Sequence, residues 1–206
     1  MTTIALDVFL DHTCPFSYMA FRAVRQVAAA VPATVTWRPL PIAGGGASLA
    51  PAEAAMHAAR QVAEWPEVEV LGAAHFGLSL RPPVWGMDAH APAVAVHWLR
   101  RTRPEAETDF HAALFAAAFE GGRDLGDPLT LGDVARSVGA ELSGLDECLA
   151  SGTMHTALAA DAAMAESHGA TAVPAVLVGG SHLVLGAQPE AVLRMAVARV
   201  AEGMDG

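Results

Sequence analysis

Between Ile4 and Ala30 an apolar, strand-like run passes through a Cys-Pro turn straight into an apolar, helix-like run, and few folds accept that order. Ile4-Ala5-Leu6-Asp7-Val8-Phe9-Leu10 alternates imperfectly and is β-branched enough for a buried first strand. After Thr13-Cys14-Pro15-Phe16-Ser17-Tyr18, the stretch from Met19 to Ala30 carries apolar residues at helical spacing (Met19, Phe21, Val24, Val27) and stops before Pro32. Ala33 to Arg38 then alternates, with Thr34, Thr36 and Arg38 on one face, and Pro39 ends it. A strand, a helix and a strand in this order predict a crossover that pairs the two strands in parallel.

The remainder divides in two. Gly44-Gly45-Gly46 reads as a connector, because it lacks the G-K-[ST] of a phosphate loop and follows no strand directly. From Pro51 to about His168 the pattern is helical. Gly and Pro signals separate segments near 51–64, 67–76, 91–102, 105–119, 130–138, 143–150 and 153–168. Asp133, Asp146 and Glu147 fall early in their segments, where carboxylates favour helix starts. The end returns to strands: Val173 to Val178, a Gly179-Gly180 hairpin turn, and Ser181 to Leu185. Pro189 then opens a last helix to about Ala201, with Val192, Leu193, Ala196, Val197 and Val200 inward. The expected class is α/β, in the order β-α-β, a large helical insertion, then β-β-α, which is the order of a thioredoxin fold. Residues 1–45 and 169–206 would make the discontinuous thioredoxin-like domain and 46–168 the helical cap.

Composition narrows the partners. The 206 residues are 53% hydrophobic and 17% charged, a globular balance. A formal charge of −10 disfavours binding to a phosphate backbone, so no nucleic acid is expected. Every basic residue is Arg, and without Lys a Schiff-base mechanism is excluded. The N-terminus lacks a basic leader region and a membrane span, so no membrane association is expected. Two cysteines, Cys14 and Cys148, make no disulfide framework, and together these features favour a reducing cytoplasm. The apolar balance is compatible with a homodimer.

Cys14 is the candidate nucleophile. A thiol at the first turn of a helix lies among unpaired N–H groups and the positive end of the helix dipole, which favour the thiolate. Such settings lower a cysteine from about 8.5 to roughly 3.5–7.5. Ser17 stands where a dithiol motif has its second cysteine, so no disulfide can close within the motif. Its hydroxyl could donate to the sulfur or satisfy the helix backbone. Pro15 gives up only a donor that would be unpaired at a helix start. His12, two residues before Cys14, is either a solvated loop residue or, as an imidazolium, a group that lowers the thiol pKa. Cys148 reads as a packed cysteine beside acidic residues, with a resolving role the lesser reading. None of the nine histidines shows zinc-site spacing, so no metal is expected.

Four stretches resemble the thioredoxin-like DsbA superfamily, in its cytoplasmic branch. They are Asp11-His12-Thr13-Cys14-Pro15-Phe16-Ser17-Tyr18; Ala89-His90-Ala91 through Trp98 followed by Phe110 to Phe119; Gly169-Ala170-Thr171-Ala172-Val173-Pro174; and Gly186-Ala187-Gln188-Pro189. That branch includes FrnE-like dithiol–disulfide isomerases, kappa-class glutathione transferases and 2-hydroxychromene-2-carboxylate isomerases. The resemblance implies that Pro174 is cis and presents the backbone of Val173 beside Cys14, where an extended substrate could add as a strand. Pro15, Phe16, Val173 and Pro174 would then be the substrate-binding residues.

The motif is intermediate. FrnE-like proteins commonly carry C-P-W-C where this chain has Cys14-Pro15-Phe16-Ser17, and the isomerase and transferase branches use Ser where this chain keeps Cys14. The leading expectation is a bacterial thiol–disulfide oxidoreductase working through one nucleophilic Cys and a mixed disulfide, on a small organic or peptide disulfide. The alternatives are a transferase or isomerase using glutathione or mycothiol as a dissociable cofactor, and a binding module whose catalysis has decayed.

Overall fold

The computed structural model describes residues 3–41 and 51–204. The Gly44–Gly46 connector and the boundary expected after residue 45 lie outside the described residues. β1 (Ile4–Leu10), α1 (Pro15–Ala30) and β2 (Ala33–Pro39) form the opening crossover, and β1 pairs with β2 in parallel from Ile4↔Ala33 to Leu10↔Pro39. β3 (Ala175–Val178) joins the other side of β1 antiparallel, and β4 (His182–Leu185) follows it, giving the order β2-β1-β3-β4. Gly179 and Gly180 both have positive φ, the backbone a two-residue hairpin turn needs. A side chain at Gly179 would also collide with Val200 on the closing helix. That helix, α8 (Glu190–Met204), packs on α1 and buries Leu193, Ala196 and Val197.

Among the described residues, six α-helices lie between β2 and β3. They are α2 (Pro51–Phe76), α3 (His90–Thr102), α4 (Glu107–Phe119) after a short 3-10 turn at Pro104–Ala106, α5 (Pro128–Ser137), α6 (Leu145–Ser151) and α7 (His155–Ser167). Two differences from the sequence expectation, at Pro66 and Asp133, have local causes. The break expected at Pro66 is absent, because Pro66 lies inside α2. The missing N–H removes one helical bond, while Trp65 and Val68 on either side are buried and Trp65 stacks with Phe119. The start of α1 is Pro15, at the helix start that the Cys-Pro turn predicts, with Cys14 as its N-cap. Asp133 is not in the first turn of its helix: Asp127 caps α5, accepting from the Leu129 N–H, and Asp133 instead pairs with Arg123 and Arg136.

The two faces of β1 explain how the sheet is covered. Ile4, Leu6, Val8 and Leu10 point into a large core shared with α1, α4 and α8, while Phe9 points into a smaller one with Ala165, Ala170, Ala175 and Leu177. The sheet thus lies between α1 and α8 on one side and the C-terminal end of α7 on the other. Gly169, at φ 74°, ends α7: its N–H bonds the Glu166 carbonyl and the Ala170 N–H bonds the Ala165 carbonyl. That cap turns the chain back into β3.

Aromatic rings tie α1 to the helical part. Tyr18 stacks on Phe115 with centroids 5.1 Å apart, Phe115 meets Phe21 at 5.4 Å, and Phe21 meets Trp37 at 4.8 Å. A polar clamp adds to them on the other face of the sheet. Arg38 binds Asp7 at 2.7 Å and Asp161 of α7 at 2.9 Å, and Asp161 lies 3.0 Å from His97 of α3.

Candidate active site

The chain leaves β1 through a turn closed by its own polar groups. Asp11 Oδ1 accepts from both the N–H and the hydroxyl of Thr13, each at 2.8 Å, and the Asp11 carbonyl accepts the Cys14 N–H at 3.1 Å. The Asp11 N–H is taken by the Ser17 hydroxyl oxygen at 3.1 Å, so a residue in the first turn of α1 grips the chain before the helix. Pro15 then continues from the extended Cys14 (φ −104°, ψ 117°) with the fixed φ that a helix start requires.

Opposing influences act on the sulfur. Burial and the Asp11 carboxylate push the Cys14 thiol up to about 11, against the pull of the Phe16 and Ser17 N–H groups and the Ser17 hydroxyl. The helix start therefore acts as expected but is outweighed by desolvation, and the resting group is a thiol. Ser17 is fully buried: its oxygen accepts the N–H of Asp11, in the turn before the helix and not in the helix backbone, and its hydroxyl pulls the Cys14 thiol pKa down. Phe16 is 38% exposed beside it.

His12 departs from both readings made of it. It is buried, with 1% of its surface exposed, and is not a solvated loop residue. Burial, then His111, pushes its pKa well below the ordinary histidine range, so no imidazolium forms there at neutral pH to lower the thiol. Its Nε2 lies 2.8 Å from Nδ1 of His111 on α4, and its ring packs against Phe115 at 5.0 Å.

The Val173-Pro174 loop reaches the same end of the sheet. Phe9 pairs with Ala175, so Pro174 stands in register opposite Leu10, where the Cys14 turn begins. The Val173–Pro174 bond is cis, and the Pro174 carbonyl accepts the Gly186 N–H at 2.8 Å. Cys148 is on α6, in another part of the helical layer. Among the described residues no three His, Cys, Asp or Glu side chains gather as metal ligands, and no helix is long and apolar enough to cross a membrane.

Three residues at this end of the molecule escaped the sequence reading. His111 is fully buried, Glu107 lies one helical turn before it, and Arg100 on α3 grips Glu107 at 2.6 Å. Arg100 holds Glu107 down at about 2 together with His111, against burial. The i, i+4 spacing of Glu107 and His111, on a helix that is apolar from Ala112 onward, was the available signal. Tyr18, quoted only as part of the motif, gives its hydroxyl to Glu120 at 2.5 Å, and burial with that carboxylate raises its pKa.

A helix-capping cysteine in the first βα turn, with a proline loop before an antiparallel strand at the same end of the sheet, on a βαβ–ββα frame with a helical insertion, defines a thioredoxin-fold protein. The family model for DSBA-like thioredoxin domains matches residues 5–198, and the chain belongs to that family. No curated protein sequence matches it. Among solved structures it is similar to a probable DsbA oxidoreductase from Streptomyces coelicolor. Their TM-score is 0.78 at 21% identity, over 95% of this chain and 89% of that one. It is similar also to a 2-hydroxychromene-2-carboxylate isomerase, with TM-score 0.73 at 16% identity over 98% of each chain. The cytosolic disulfide reductase DsbM from Pseudomonas aeruginosa gives 0.67 at 15% identity, over 94% of this chain and 98% of that one. At these identities the structural likenesses concern the fold.

Proposed function

We propose that the protein is a thiol–disulfide oxidoreductase that works through Cys14 alone, in a reducing cytoplasm. The observation that carries the reading is the setting of the sulfur. It caps α1 with two backbone N–H groups and the Ser17 hydroxyl available to it, and Ser17 occupies the place of a resolving thiol. Cys14 loses its proton and its thiolate attacks one sulfur of a disulfide RS–SR′. The new Cys14–S–SR bond forms as R′S⁻ leaves and takes up a proton. A second thiolate, R″S⁻ from a low-molecular-weight thiol such as glutathione or mycothiol, then attacks the substrate sulfur. It gives RS–SR″ and restores Cys14. Phe16 and the Val173-Pro174 backbone would contact the substrate, a small organic or peptide disulfide.

The test is to expose the protein to a small mixed disulfide and weigh it. Wild type should gain one RS group on the Cys14 peptide, released by added thiol, and Cys14→Ala should gain none there. An unmodified Cys14 peptide in wild type defeats the reading.

A second reading is favoured by the raised thiol pKa. A Cys14 that rests protonated is a hydrogen-bond donor, as a Ser is in the isomerase and transferase branches that the chain resembles. In that case the site would bind a reduced low-molecular-weight thiol and activate its sulfur. Saturable binding of reduced glutathione or mycothiol without adduct formation distinguishes it from exchange at Cys14.

A further inference from the structure

Exchange at Cys14 leaves a row of buried and half-buried groups beside the turn without a part. His12, on the active-site turn, and His111, on α4, expose 1% and 0% of their surfaces, and Glu107 follows them away from the site. Proton positions along this row can be worked out from its far end. Glu107 Oε1 is fixed by Arg100, with Nη2 at 2.6 Å and Nε at 3.1 Å. The same oxygen stands 3.7 Å from His111 Nε2, a buried nitrogen without a hydrogen-bond partner. At that separation an ionised carboxylate repels a lone pair and attracts an N–H, so it selects the His111 tautomer protonated on Nε2. His111 Nδ1 is then a lone pair, and His12 Nε2, 2.8 Å from it, must carry the proton of their shared bond. Only Nδ1 of His12 remains as an acceptor. It is bonded to Cγ and so is the ring nitrogen nearer the main chain of the turn.

We propose that Glu107 and His111 are positioning residues of the thiol site. They hold His12 as a neutral ring protonated on Nε2 and thereby keep a fixed acceptor, Nδ1, at the foot of the Cys14 turn. The role rests on the reading that Cys14 acts by thiol chemistry. Burial and most of the groups packed around the pair keep it neutral and in place. From α3, Arg100 and His97 disfavour a further proton on His111; from α1 and β2, the rings of Phe21 and Trp37 enclose it; and Phe115 closes over His12. Glu107 acts on His111 in the other direction.

Two-bond ¹H–¹⁵N correlation of the histidine rings reads the tautomers directly, near pH 7. In wild type His12 and His111 should both be neutral and protonated on Nε2. In Glu107→Met, which removes the selecting oxygen, His12 should populate both tautomers, and alkylation of Cys14 should slow several-fold relative to Cys148. Glu107→Gln, whose amide oxygen can take the carboxylate's place beside Arg100, should restore both readouts. A wild-type His12 protonated on Nδ1, or charged, overturns the proposal, and that measurement stands even if Glu107→Met fails to fold. So does a folded Glu107→Met with unaltered tautomers or unaltered alkylation. The mixed-disulfide experiment is separate: a missing Cys14 adduct with the expected tautomers defeats the exchange reading and leaves the proton arrangement standing.

Discussion

The two cysteines both lie near helix starts and differ in almost everything around them. Cys14 caps a sixteen-residue helix at the seam between sheet and helical layer, with no acid in the first turn. Cys148 lies in a helix of seven residues whose first turn holds Asp146 and Glu147. It borders an open cavity of about 350 Å³ with Trp98, Arg101 and Met154, none of which belongs to the Cys14 turn. Around the Cys14 turn the neighbours come from distant parts of the chain: His111 and Phe115 reach His12 from α4, and the register of β3 sets Pro174 opposite Leu10, at the same end of the sheet. A helix start alone does not make a reactive thiol, because the pull of the helix-start N–H groups on Cys14 is outweighed by burial and Asp11. What separates the two sites is the amount of structure converging on each.

The contrast breaks most sharply at the sulfur itself. Cys14→Ala should cut mixed-disulfide turnover by at least about a hundredfold, and Cys148→Ala should leave it within about twofold, since only the nucleophile enters the covalent step. Comparable losses in the two variants, measured by steady-state rate, would end the distinction.

Packing gives the next largest difference. Phe115 is fully buried against Tyr18, Phe21 and His12, so Phe115→Ala should cost about 3–5 kcal/mol in denaturant titration. Leu149, beside Cys148 and only partly buried, should cost less than about 2 kcal/mol when cut to Ala. Equal costs would mean that the seam is no better packed than the outer helices.

Acid should act through the seam. Burial lowers His12 and His111, so below the ordinary histidine value of 6.5 the unfolded chain takes up protons that the native pair refuses, and stability falls as pH falls. Glu107, held at about 2, extends the loss: its stabilisation is full above about 4.5 and fades as pH approaches 2. Denaturant midpoints between about pH 8 and pH 4 check this, and a midpoint that stays level through the histidine range contradicts it.

The smallest effect sharpens the account of the sulfur. Ser17→Ala removes a hydroxyl that lowers the Cys14 pKa, so alkylation of Cys14 at a fixed pH below its midpoint should slow about three- to tenfold, with Cys148 unaffected. An unchanged rate would leave the two backbone N–H groups as the sulfur's effective donors.

Local pattern and chain order determined much of this protein in advance. Alternation in Ile4–Leu10 and Ala33–Arg38, helical spacing after the Cys-Pro turn, and the Gly179-Gly180 hairpin each depend on neighbours within a few residues, which is why the thioredoxin order was legible. The candidate site was half legible for the same reason: Cys14, Pro15, Phe16 and Ser17 are contiguous. Tertiary structure decided the rest. Pro66 stays inside a helix whose buried Trp65 packs against Phe119, about fifty residues away by sequence. His12 becomes a buried neutral ring because α4 brings His111 to it across a separation of 99 residues. The state of the Cys14 proton follows from the same convergence, since desolvation is a property of everything that surrounds a group, and a sequence specifies only its nearest covalent neighbours.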